Sequence, residues 1–134
     1  MNAVDSSVTV PAFASWHEHH EPARAALGRG PHLPVHVALE TYAVLTRLPP
    51  PHRVAGAAVH QFLTVNFPSP WLVLSGQGHR AVLERLAEQA FSGGATYDAL
   101  VAATAREAGA ELFTADRRAR PVYEGFGVTF ELII

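Results

Sequence analysis

The alternation of apolar and polar positions divides the chain into short strands and longer helices. Ala3-Val4-Asp5-Ser6-Ser7-Val8 reads as a very short apolar strand stopped by an acid and two hydroxyls, a strand-to-turn signal. Glu21 to Leu27 fits one or two helical turns, with Pro22 in the first turn and Gly28 at the end. A longer helix is predicted from Pro34 to Leu48, where Val37, Leu45 and Leu48 with Thr41 and Tyr42 form one stripe; Glu40 lies inside it and Pro49-Pro50-Pro51 stops it. From His52 to Phe67, Val54, Ala58, Phe62 and Val65 recur at helical spacing before Pro68-Ser69-Pro70. Trp71 to Leu74 is a continuous apolar run, the pattern of a strand covered on both faces. Gly78 to Phe91 reads as an amphipathic helix through Val82, Leu83, Leu86 and Ala90, and Thr96 to Ala108 as another, closed by Gly109. Ala110 to Thr114 is a third strand leading to Asp116, and a turn at Tyr123 to Gly127 precedes a last strand within Val128 to Ile133. Strands separated by helices imply an α/β fold: right-handed crossovers and a small, mostly parallel sheet covered by helices on both faces. No repeat or linker divides residues 1–134, so one domain is expected.

Composition narrows the chemistry. With 134 residues, 49% of them hydrophobic and 16% charged, the chain supports a packed core. All ten basic residues are arginine, which disfavours a P-loop, a pyridoxal Schiff base and a receiver-type phosphoacceptor site, each of which needs a lysine. Cysteine is absent, so disulfides, thiolate metal sites and cysteine nucleophiles are excluded. The start MNAVDSS lacks the basic and apolar regions of a signal peptide, and Val54 to His79, the longest run without a formal charge, is too polar and broken to span a bilayer. A cytoplasmic location and no membrane partner are the expectation. The net charge of −2 gives no global attraction to nucleic acid, so any such binding must be local.

The three aspartates of the chain, Asp5, Asp98 and Asp116, are the informative residues. Asp5 follows the first strand, Asp116 follows the third by two residues, and Asp98 sits in the first turn of the preceding helix. Ligands of open α/β sheets bind outside the carboxyl ends of the strands, where Asp5 and Asp116 both fall. Carboxylates gathered there repel one another and call for a hard divalent cation such as Mg²⁺ or Mn²⁺. The plainer alternative makes Asp98 a first-turn acid and Asp5 and Asp116 turn residues that accept backbone N–H bonds.

VDSSV at the start, LETYAVLTRLP in the middle and YDALVAATAREAGAELFTADRRARPVYEGFGV near the end together resemble the PIN-domain ribonucleases, specifically the VapC-type toxins of VapBC toxin–antitoxin pairs. The resemblance implies a three-layer α/β/α sandwich and an acidic pocket that binds Mg²⁺ or Mn²⁺ and cuts RNA phosphodiester bonds. By position it makes Asp5, Glu40, Asp98 and Asp116 the catalytic and metal-binding acids. Ser6 matches the small hydroxyl residue after the first aspartate, and Thr114 the hydroxyl two before the last acid. A cognate VapB-type antitoxin, an RNA substrate (tRNA, rRNA or mRNA) and a homodimer are the implied partners. Other readings are a PIN nuclease of RNA processing without a toxin role and a catalytically inactive RNA- or protein-binding module.

Arg117, Arg118 and Arg120 form a basic patch beside the acids, and Arg117 and Arg118 are candidate contacts to RNA phosphates. His17-Glu18-His19-His20 lacks the spacing of a helical zinc motif and is expected in a solvated loop or helix start. His36, four residues before Glu40, is either pocket lining or a structural helix residue. Trp71 belongs to the core, whereas Trp16 is free to stack on a base.

Overall fold

The computed structural model describes all 134 residues. Three strands, β1 (Asn2–Val4), β2 (Glu111–Thr114) and β3 (Phe130–Leu132), form a parallel sheet in the order β1-β2-β3. Val4 stands opposite Phe113, and Thr114 opposite Leu132, so the carboxyl ends of β1 and β2 lie side by side. Leu112, Phe113 and Thr114 are each wholly buried. Successive residues of a strand point to opposite faces, so helices must cover the sheet on both sides, the three-layer α/β/α arrangement expected from the sequence.

Seven helices make those layers: α1 (Ser6–Phe13), α2 (His20–Leu27), α3 (Val35–Thr46), α4 (Gly56–Asn66), α5 (Gly76–Glu88), α6 (Ala95–Glu107) and α7 (Arg120–Gly125), with a single 3₁₀ turn at Arg117–Ala119. Helix α3 follows the predicted stripe, burying Val37, Ala38, Thr41 and Leu45. Gly109 adopts a left-handed φ of 71°, which lets α6 turn sharply into β2.

Five elements differ from the pattern reading. The first strand ends at Val4, and α1 starts directly after it because the Asp5 carboxylate caps the helix through the Ser7 N–H; Val8 belongs to that helix. Trp71 to Leu74 is no regular strand. Leu72 makes a single bridge to Pro34, with its N–H donating to Leu33 O at 2.9 Å, while Val73 is 66% exposed. A parallel bridge from Ala3 to His32 links this margin to β1. Helix α4 is turned by one position from its predicted stripe: Val59 and Leu63 are buried and Val65 faces water. Likewise Leu83 of α5 is exposed while Val82 and Leu86 enter the core. Finally, the stretch before β3 holds a helix, α7, begun by Pro121 near its start. No helix is long and apolar enough to cross a membrane.

Candidate active site

The site is built where β1 and β2 end. Asp5 is buried, and both of its oxygens are occupied: Oδ1 accepts from the Ser7 N–H at 3.0 Å and from the Ser7 hydroxyl, and Oδ2 accepts from the Tyr123 hydroxyl at 2.6 Å. Ser7 is a two-way clasp. Having donated to Asp5, its Oγ accepts from the Ala115 N–H at 2.7 Å, which fastens the start of α1 to the end of β2. Thr114 Oγ1 accepts the Asp116 N–H at 3.1 Å, and Asp116 Oδ1 in turn accepts the Arg118 N–H at 2.9 Å, capping the 3₁₀ turn. Thr114 itself is wholly buried, so it shapes the site from beneath rather than touching a ligand at the surface.

Glu40 enters from α3. That helix is locked to α1 by a buried hydroxyl pair: Thr41 donates to Val37 O at 2.6 Å, which leaves Thr9 as the donor in the 2.6 Å Thr9–Thr41 contact. Asp98 enters from the first turn of α6, whose cap, Gly94, offers no side chain. Burial, and then the charges of Asp116, Asp5 and Glu40, push the Asp98 carboxyl up from 3.8 to about 6, with Arg118 opposing. Four carboxylates far apart in the chain therefore share one electrostatic field. Burial also raises Asp5, against the hydrogen bonds from Ser7 and Tyr123. Burial first, and then Asp5, push the Tyr123 phenol up, so it remains an O–H donor.

Asp5 and Asp116 are caps, as the plainer alternative has them, and the charges of both also bear on Asp98. Of the arginines, Arg118 lies nearest, its Nε 3.5 Å from Asp116 Oδ1 with the side chain 94% exposed; Arg117 is exposed and Arg120 pairs with Glu124 at 3.3 Å instead. An open cleft of about 400 Å³ beside the acids is lined by Ser6, Ser7, Asp116 and Arg118 among others. His36 stacks on Tyr97 with ring centroids 5.2 Å apart, and its buried Nε2 lies 4.0 Å from Glu40 Oε2 without a hydrogen-bond partner.

The donors converging here are hard oxygens, with no thiolate, which suits Mg²⁺ or Mn²⁺. No three His, Asp or Glu side chains are close enough to hold an ion by themselves. Mg²⁺ fits such a loose set, since it keeps several waters and needs only one or two carboxylates directly.

Comparison with known proteins shows the family and the fold. The PIN domain family matches residues 3–125. Ribonuclease VapC40 of Mycobacterium tuberculosis is 53% identical over 133 residues, covering 99% of each chain. Ribonuclease VapC27 of the same organism is 42% identical over 127 residues, covering 94% of this chain and 92% of the relative. The solved structure of FitAcB from Neisseria gonorrhoeae superposes with a TM-score of 0.71 at 15% identity over 97% of this chain and 96% of that one. That of FitAB bound to an IR36 DNA fragment gives 0.73 at 16% identity, over 98% and 94%. The chain belongs to the PIN-domain family, and within it to the VapC group.

Proposed function

We propose that the protein is a divalent-cation-dependent endoribonuclease, the toxin of a VapBC-type pair, and that Asp5, Glu40, Asp98 and Asp116 form its active site. The observation that carries the reading is the placement of Asp5 and Asp116 just past the carboxyl ends of β1 and β2, where their charges and that of Glu40 add to burial in raising the Asp98 carboxyl to about 6. Whole-length similarity to proteins named ribonuclease supports the substrate class.

In this reading Asp98, Asp116 and Glu40 hold Mg²⁺ or Mn²⁺ directly or through water, with Asp5 beneath them. A bound cation of this kind supplies a nucleophilic water near neutral pH and offsets charge developing on the phosphate. The chain's own residues supply the remaining requirements. Ser7 and Tyr123 fix the Asp5 carboxylate, and the Thr9–Thr41 pair fixes the helix that carries Glu40. Arg117, exposed next to Asp116, meets the incoming phosphate.

An acidic pocket that attracts cations is also one that a cationic side chain can block. The cognate antitoxin is therefore expected to insert an arginine or lysine among the acids, and a complex that leaves Asp5, Asp98 and Asp116 untouched would refute this mode of silencing. Self-association as a homodimer would use apolar side chains left exposed on the N-terminal helices, such as Leu39 and Tyr42, and sedimentation measures it. The protein would act in the cytoplasm, on RNA.

The direct test is cleavage of a labelled RNA with Mg²⁺, Mn²⁺ or EDTA by the parent and by Asp98→Asn. The parent should cut only with the cation. The variant, which loses a charge at constant volume, should be slower by about 100-fold or more. Activity within about threefold of the parent at equal metal would remove Asp98 from the mechanism.

A further inference from the structure

The His17-Glu18-His19-His20 run takes no part in the acid cluster, yet it is held firmly. His20 Nδ1 donates to Pro11 O at 2.7 Å, pinning the run to α1, and the His17 and His20 amides close successive turns on Ala14 O and His17 O, each at 3.0 Å. The His19 N–H donates to His17 Nδ1 at 3.0 Å. A nitrogen that accepts a hydrogen bond carries no proton, so the neutral His17 ring has its proton on Nε2 and is a donor there.

His17, Glu18 and His19 line the same cleft of about 400 Å³ that Ser6, Asp116 and Arg118 line, with Val10, Pro11 and Val44 as its apolar surface. The volume lies in the range of small-ligand sites, and the mostly polar lining offers side chains to the edge of a base. Asp116 belongs both to this cleft and to the acid cluster. A chain whose scissile phosphate meets the acids therefore has its neighbouring nucleotide at the cleft. Because Asp116 engages the Nε edge of Arg118, the terminal N–H groups of that guanidinium are left for a ligand.

We propose that this cleft receives the unpaired base next to the scissile phosphate and selects guanine, with His17 and Arg118 as the residues that read it. The proposal rests on the ribonuclease reading above. Guanine offers two neighbouring acceptors, O6 and N7, to which an arginine fork binds bidentately, whereas adenine places an amino donor against these donors. Unpaired RNA is required because only a splayed base exposes its edges to such a pocket.

The experiment uses the whole protein on single-stranded RNA randomised around the cut, with Mg²⁺ or Mn²⁺ present and the new ends sequenced. Parent, His17→Ala, His17→Gln and Arg118→Gln are compared, with thermal melts to establish that each is folded. The parent should enrich guanine at one position flanking the cut. His17→Ala should lower that enrichment by about tenfold, the discrimination of one good base contact. His17→Gln, whose amide N–H reaches the place of Nε2–H, should keep most of it. Arg118→Gln changes a side chain in water and so tests the pocket independently of folding; it should flatten the same position. A parent that cuts RNA without guanine preference overturns the proposal alone. So do variants that cut more slowly with an unchanged distribution. A parent that cuts no RNA under any of these conditions overturns the ribonuclease reading, and this proposal with it.

Discussion

Asp5 has both carboxylate oxygens committed inside the protein, whereas Asp98 is constrained by burial and the charges around it. The two are therefore probed differently, Asp98 at its own carboxyl and Asp5 through its hydroxyl partner. Asp98 has a folded-state value of about 6 against an ordinary 3.8, so the folded protein favours its protonated form. Its favourable contribution is complete below about pH 3.8 and is lost as the pH rises through about 6. Asp98→Asn should consequently raise the melting temperature of the cation-free protein at pH 7–8 by a few degrees, about 1 kcal/mol after allowance for solvent screening. Melts at pH 4 should show the difference gone. Tyr123→Phe has the contrary sign. It takes the hydroxyl from a buried carboxylate, which costs about 1–3 kcal/mol and should lower the melting temperature by several degrees. Calorimetry of the two variants in EDTA measures both effects.

At the scale of elements, legibility followed how far each segment's structure depended on its own residues. Helices α3, α5 and α6 carry enough apolar residues, bounded by proline and glycine, for their existence to be read locally. Helix α1 was hidden because Asp5-Ser6-Ser7 signals a turn and a cap alike, and Pro11 inside the helix weakens its pattern. The phase of α4 depends on packing partners: Phe62 is held against Phe13 with centroids 5.3 Å apart, and Val59 rather than Ala58 turns inward. Trp71 to Leu74 reads as core by composition, but prolines at 68 and 70 and a single bridge leave it at the sheet's margin. The acids were visible in the sequence; the Ser7 and Tyr123 partners of Asp5 were not. Tyr123 is 118 residues from Asp5, and the one available signal was that a buried tyrosine needs an acceptor. Caps give a control at this scale. Ser75 caps α5 through the Gly78 N–H at 2.9 Å and donates to Glu107 at 2.6 Å, away from the acids. Ser75→Ala should cost about 1 kcal/mol and lower the melting temperature by a few degrees while leaving RNA cleavage per folded molecule unchanged.

For the whole molecule, the acids come from four places, the ends of β1 and β2 and the helices α3 and α6, so any ion bound among them joins elements that span the chain. Binding to the folded state alone stabilises by mass action. At a cation concentration ten times the dissociation constant this is about 1.4 kcal/mol, or a few degrees in melting temperature. Mn²⁺ or Mg²⁺ should therefore raise the parent's melting temperature. Asp98→Asn, having lost a charge from the donor set, should start higher in EDTA and gain less from the cation. The two curves of melting temperature against metal concentration should approach and cross. A net charge of only −2 makes general screening a poor substitute for this effect, and a matched series in NaCl at equal ionic strength separates the two. If the acids served only as caps and first-turn charges, parent and variant would respond identically to the metal. Parallel curves would then count against the shared cation site.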